Sequence, residues 1–171
     1  MPTPSRTPQR TARRREQILR TARTLFADEG IAQVTTGRIA EVAGISPGNL
    51  YYWFANKGEI VQALFEEWAA RSAVDLDAVA DPAQVLQALW RQGPHQAQVT
   101  DEYAFFAREL FPLLHVDTEL AERYLQHVQQ RTAAFAAQLE RLVAAGLLRP
   151  PAPPTSLGQV VAVAWLVAET A

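Results

Sequence analysis

Apolar positions along this chain recur at the spacing of one helical face, and no stretch alternates convincingly as a strand would. Ile18, Leu19, Ala22, Leu25 and Phe26 fall at i, i+1, i+4, i+7 and i+8, which predicts a first helix from near Arg10 to just before Gly30. Two short helices are expected within residues 35–57. Thr35 or Thr36 caps the first of them, which should bury Ile39, Ala40, Val42 and Ala43. Gly44 ends it, because the position after a helix takes the left-handed conformation that glycine enters without strain. Ser46 is then an N-cap, and Pro47 occupies the first helical position, where its missing N–H costs nothing. Leu50 and Phe54 share an inward face, which leaves Asn49, Tyr51, Tyr52 and Trp53 around the rest. Asn56, with Glu59 three residues later, has the spacing of a capping box. Lys57 is accordingly expected to project from a helix N-terminus whose free N–H groups favour anions such as phosphate.

The remaining pattern is also helical. Ile60, Val61, Leu64, Phe65 and Trp68 keep register from Lys57 to about Val74, in a helix that should serve both halves of the protein. Asp81 and Pro82 open the next helix, with Val85, Leu86, Leu89 and Trp90 inward, and Gly93-Pro94 is expected to stop it. An aromatic-rich helix begins near Thr100, with Pro112 as a kink near its end. Asp117 starts the longest pattern, which Gly146 closes. The run PPAPP is a connector of polyproline type, and residues 157–168 form a helix apolar almost all round. A helix without a polar face is buried on all sides, in a small chain often against a partner subunit. The fold class is therefore all-α: a three-helix helix-turn-helix domain at 1–56, then a helical bundle at 57–171.

Charge adds an asymmetry. Residues 1–57 carry nine Arg/Lys against four Asp/Glu, and residues 58–171 carry seven against fourteen, so a net of −2 conceals +5 and −7. A basic end on an acidic body suggests a polyanion partner for that end alone, with Arg10, Arg13, Arg14 and Arg15 as a phosphate- or groove-binding arm. Beside a helix-turn-helix, the partner expected is double-stranded DNA. Asn49 suits base edges, because it pairs a donor with an acceptor as adenine does. Tyr51 and Lys57 suit phosphates, which set register without reading sequence. Gly48, lacking a side chain, lets the reading helix approach a groove floor.

The chain has no cysteine, so disulfides and thiolate metal sites are excluded and a reducing cytoplasm is the expected compartment. No apolar run precedes Ile18, and the longest, at 160–168, falls well short of a bilayer span, so neither a leader nor a membrane segment is expected. None of His95, His115 and His127 stands at i, i+4 from another, so no metal and no cofactor is expected. Serines lack a histidine at motif spacing and there is no glycine-rich phosphate loop, which argues against an enzyme. In the body, Trp90, Tyr103, Phe106 and Tyr124 are candidates to line a ligand cavity, with Arg108, His115 and His127 as polar anchors. The alternative for each aromatic is plain core, and for Arg108 and Glu109 a solvated surface.

Taken together, Thr35-Thr36, Ile39-Ala40, Ala43 to Ser46, Gly48 to Phe54 and Lys57 to Ile60 closely resemble the DNA-binding signature of TetR-type transcriptional regulators, over roughly residues 14–65. One subgroup carries a motif similar to Tyr103–Leu110 followed by Asp117 to Tyr124. The resemblance implies a homodimer on a palindromic operator, usually a repressor, released when a small-molecule effector binds the C-terminal half. It implies phosphate contact from Thr36 and Lys57, and DNA contact from Pro47, Gly48, Asn49, Tyr51, Tyr52 and Trp53. Gly37 departs from the polar residue often found there, and Arg38 is the candidate to replace its contact. Relatives often continue into a further helix after the apolar last one, so the dimer here is expected to rest on fewer helices. The rival expectations are a DNA-binding protein without a sensor, and a helical small-molecule binder with a vestigial DNA head.

Overall fold

A computed structural model describes residues 8–73 and 81–170, with the side chains at 8–11, 86, 89, 92 and 165–170 excepted. The described residues form eight α-helices and no strand: α1 Pro8–Glu29, α2 Thr36–Val42, α3 Pro47–Tyr51, α4 Lys57–Ser72, α5 Pro82–Glu102, α6 Ala104–Val116, α7 Thr118–Ala144 and α8 Leu157–Thr170. They cluster into two compact units, Met1–Trp68 with Glu102–Leu110, and Ala69–Asp101 with Phe111–Ala171. The units change over inside α4, at the last residue of α5 and inside α6. The physical reason lies in the side chains: Ile60, Val61, Leu64 and Phe65 of α4 and Phe105, Phe106 and Leu110 of α6 are buried with the first three helices.

In the first unit, the predicted stripe of α1 (Ile18, Leu19, Ala22, Leu25, Phe26) is buried together with Ile31, Val34, Ile39, Ala40, Ala43, Leu50 and Phe54. Phe105 packs its ring 5.9 Å from Phe26 and 4.6 Å from Phe106, and Phe106 reaches Phe65 at 6.2 Å, so one aromatic seam joins α1, α4 and α6. Arg23 of α1 closes the seam on its polar side: Nη1 donates to Glu67 Oε1 and to the Tyr103 hydroxyl, both at 3.0 Å, and its guanidinium lies over the Tyr103 ring.

The second unit has a sparser interior, with Val85, Val99, Leu120, Tyr124 and Leu142 buried. The last carbonyls of α4, which have no partner within a helix, are met from α5 by His95 Nε2 at Arg71 O and by Gln96 Nε2 at Ser72 O. Asp117 caps α7, and the helix ends in two bonds, Gly146 N to Val143 O and Leu147 N to Leu142 O, with Gly146 at φ +72°. α7 packs against α8.

Four expectations are corrected here. α5 does not stop at Gly93-Pro94 but runs through it to Glu102. The carbonyl that loses its donor to Pro94 is that of Trp90, a residue 84% exposed, so water can take the bond. The aromatic helix does not begin near Thr100, because the chain breaks at Tyr103, whose ring is buried and stacked on Phe106. Trp90 itself points outward, not inward, and Val42 is 51% exposed although Ile39 and Ala40 of the same helix are buried. α8 exists as expected, yet Val160 and Val163 are exposed within the single chain. The inward positions expected for Leu86 and Leu89, and those of Trp165, Leu166 and Val167, lie outside the described side chains, as does Arg10 of the arm.

Candidate nucleic-acid interface

α2 and α3 are held by short-range chemistry at every joint. Thr35 caps α2 by accepting from Arg38 N at 3.1 Å. The helix ends with Gly44 N donating to Glu41 O and Ile45 N to Ala40 O, while Gly44 takes φ +66°. Ser46 Oγ then accepts from Asn49 N at 3.2 Å, with Pro47 first in the helix. Beyond α3, Asn56 Oδ1 caps the next helix by accepting from Glu59 N, and the Glu59 carboxylate reaches back to accept from Ala55 N, one residue before the cap, at 2.7 Å. Gln17 of α1 ties the pair down by donating to Ala43 O.

Anchored by buried Leu50 and Phe54, α3 turns Pro47, Gly48, Tyr51 and Tyr52 to solvent, with Tyr52 69% exposed and Asn49 half-buried. A methyl group in place of the Gly48 hydrogen would meet nothing within 4 Å, so packing does not demand glycine there. Thr36 and Tyr51 share a hydrogen bond between their hydroxyls at 3.0 Å, which puts the starts of α2 and the end of α3 on one surface. Arg13, Arg14 and Arg15 of α1 are exposed, and Arg15 lies over the Phe54 ring at 5.3 Å.

Three of the nine residues expected on this face behave differently. Lys57 does not project outward. Its ammonium donates to the carbonyls of Ile31 at 2.7 Å and Val34 at 3.0 Å, with Ala32 O at 3.4 Å, because three backbone acceptors at the α1–α2 turn lie within reach of its stem. Trp53 is half-buried, edge-on to Tyr52, with an indole Nε1 that is buried and meets no acceptor. Arg38 is exposed but lies between two carboxylates, 3.1 Å from Glu41 and 3.8 Å from Glu29.

The seven candidate ligand residues divide between the two units. Tyr103, Phe106 and Arg108 belong to the first unit: the two rings stack at 6.2 Å in the aromatic seam, and Arg108 donates to Ala27 O at 3.1 Å. Trp90 and His115 are exposed. Tyr124 and His127 do share the inner stripe of α7 with Arg131 and Gln138. Burial, and then the charge of Arg131, lower the His127 pKa to about 4. The open groove of about 690 Å³ in the second unit, lined by Pro154, Thr155, Gln159, Val160, Val163 and Ala164, touches none of the seven. Among the described residues there is no cluster of three groups suited to a metal, and no helix long and apolar enough to cross a membrane.

Comparison with known proteins bears on this surface. Residues 18–64 match the family model described as bacterial regulatory proteins, tetR family, and residues 69–171 match the TetR model described as bacterial transcriptional repressor. The chain is 32% identical over 137 residues to the HTH-type transcriptional regulator TtgR of Pseudomonas putida, which covers 75% of this chain and 62% of that protein. It is 36% identical over 88 residues to the HTH-type transcriptional repressor KstR2 of Mycolicibacterium smegmatis, covering 49% of this chain and 43% of that one. The chain thus spans less than two thirds of either relative. Among solved structures, a TetR-family transcriptional regulator from Marinobacter aquaeolei superposes with a TM-score of 0.79 at 32% identity, over 91% of this chain and 76% of that one. The relatives named are regulators, not enzymes.

Proposed function

This chain belongs to the TetR family of bacterial regulatory proteins, and on that premise we propose that it is a sequence-specific DNA-binding transcriptional regulator, of the repressing kind, working as a homodimer. The observation that carries the reading is α3 itself: Leu50 and Phe54 buried, Gly48 open, Tyr51 and Tyr52 exposed, and Asn49 half-buried beside them. Such a helix fits a major groove, and a two-fold pair of them would read half-sites about 34–36 Å apart or a multiple of that spacing. In this reading Thr36, Pro47, Gly48 and Tyr51 lie against the backbone, Asn49 and Tyr52 meet base edges, and Trp53 supports Tyr52 from behind. Lys57 shapes the turn before α2 in place of a phosphate contact, and Arg38 exchanges Glu29 and Glu41 for phosphate on binding. The homodimer is supported by α8, whose apolar Val160 and Val163 stand exposed beside an apolar groove. Response to a small-molecule effector is supported by the inner stripe of α7, where Tyr124, His127 and Arg131 place polar groups among apolar ones. The proposed division of labour gives DNA reading to the first compact unit and sensing and assembly to the second.

The test is selection of duplex DNA from a random pool by the full chain, followed by binding of the Tyr52→Ala and Asn49→Ala variants. An enriched inverted repeat is expected, and each variant should lose about tenfold or more in discrimination at one position per half-site, the size of one good base contact. Enrichment of no sequence, or variants that discriminate as the wild type does, would remove α3 as the reader.

A further inference from the structure

The turn between α1 and α2 is gripped from two sides by residues far along the chain. Glu109 of α6 accepts from Ile31 N through Oε1 at 3.0 Å and from Ala32 N through Oε2 at 3.1 Å. The carbonyls of the same two residues, and that of Val34, accept from the Lys57 ammonium. The peptide units of the turn are therefore polarised between an anion on their N–H side and a cation on their C=O side. Gly30 completes the arrangement. It holds φ +84°, and a Cβ at that position would lie 2.9 Å from Glu109 Oε1, so the backbone is shaped to admit the carboxylate. α6 cannot swing the carboxylate away freely, since Phe105, Phe106 and Leu110 of the same helix are buried in the first unit.

We propose that Glu109 is a positioning residue for DNA recognition: it fixes the turn that delivers α2. The route is a chain of direct bonds. Glu109 holds Ile31 and Ala32, Lys57 holds Ile31 and Val34, Thr35 caps α2 immediately after, and Thr36 bridges to Tyr51 at the end of α3. A residue contributed by the later part of the chain thereby sets the angle at which the reading helices are presented.

The proposal rests on the reading of the first unit as a DNA-binding head, and the experiment separates the two. If the wild-type chain enriches no DNA sequence, that reading fails before any variant is made. With a selected duplex in hand, Glu109→Gln keeps the side chain's shape but offers one acceptor where two are needed. Its affinity for the selected duplex should fall about tenfold, the scale of one charge-assisted hydrogen bond, while affinity for an unrelated duplex stays unchanged. Hydrogen exchange at the Ile31 and Ala32 amides should accelerate, with the α1 core still protected. Gly30→Ala leaves the charge in place and displaces the carboxylate by contact, and it should give the same split. Faster exchange with unchanged selected-duplex affinity overturns the proposal. So does an equal loss on both duplexes, or unfolding of both variants, either of which reduces Glu109 to a structural role.

Discussion

The two compact units treat apolar surface differently. In the first, the large apolar or aromatic side chains left exposed among the described residues are Val42, Tyr51 and Tyr52, all on the helix-turn-helix. In the second, exposure is spread over α5 to α8, from Trp90 through Phe111, Val116 and Leu125 to Leu147, Val160 and Val163. Exposed apolar surface on one small face marks a working surface, whereas exposure along several helices marks a unit whose burial is unfinished in one chain. The first unit is thus closed by its own residues, while the second leaves on several helices the apolar surface that the proposed homodimer would cover.

The contrast can be broken most severely at the aromatic seam. Phe105→Ala should lower the free energy of unfolding by about 3–5 kcal/mol, as large-to-small changes at fully buried aromatic sites do, read by urea denaturation of the full chain. A loss under about 1 kcal/mol would mean that α6 is not part of a closed core. A smaller effect is expected in the second unit from pH. His127 is neutral in the folded chain well below its ordinary value of 6.5, because burial and Arg131 lower its pKa to about 4. Between those values the unfolded chain binds the extra proton, so stability falls as pH drops from 6.5 toward 4. The thermal midpoint should decline from pH 7 to pH 5, and His127→Gln should flatten that decline; an unchanged slope would discount the burial of this ring. The smallest effect belongs to Val163→Ser, which should alter the stability of dilute protein by under about 0.5 kcal/mol, since the side chain is 60% exposed. The same substitution should weaken self-association in sedimentation experiments, and a variant that associates as the wild type does would place the dimer face elsewhere.

What could be read in advance follows the range of the interactions. The caps at Thr35, Ser46 and Asn56 and the left-handed glycines at 44 and 146 are settled within five residues, and the sequence pattern located each of them. Gly93-Pro94 misleads for the same reason: a local stop signal yields when the apolar register on either side can be buried as one helix. Val42 stands exposed against expectation because a helix of seven residues has too few positions to define its inward face by periodicity. Lys57, Arg108 and Glu109 were beyond reach in principle. Their charges look like surface or ligand-site charges until the fold brings the α1–α2 turn and the end of α1 to them, across 23 to 81 positions of sequence. A clue was present in Gly30, since a glycine after a helix also admits a close neighbour, but nothing in the sequence names the neighbour.

The placement of Glu102–Leu110 within the first unit also sets an order of events during synthesis. A nascent chain that has emerged only through α4 lacks Tyr103, Phe105 and Phe106 for its interior and the carboxylate for its first turn. The ribosome must add some forty more residues, a matter of seconds at about 5–20 residues per second, before the reader can close. The N-terminal part of this polypeptide is therefore translated first but finished late, only after part of the remainder has arrived.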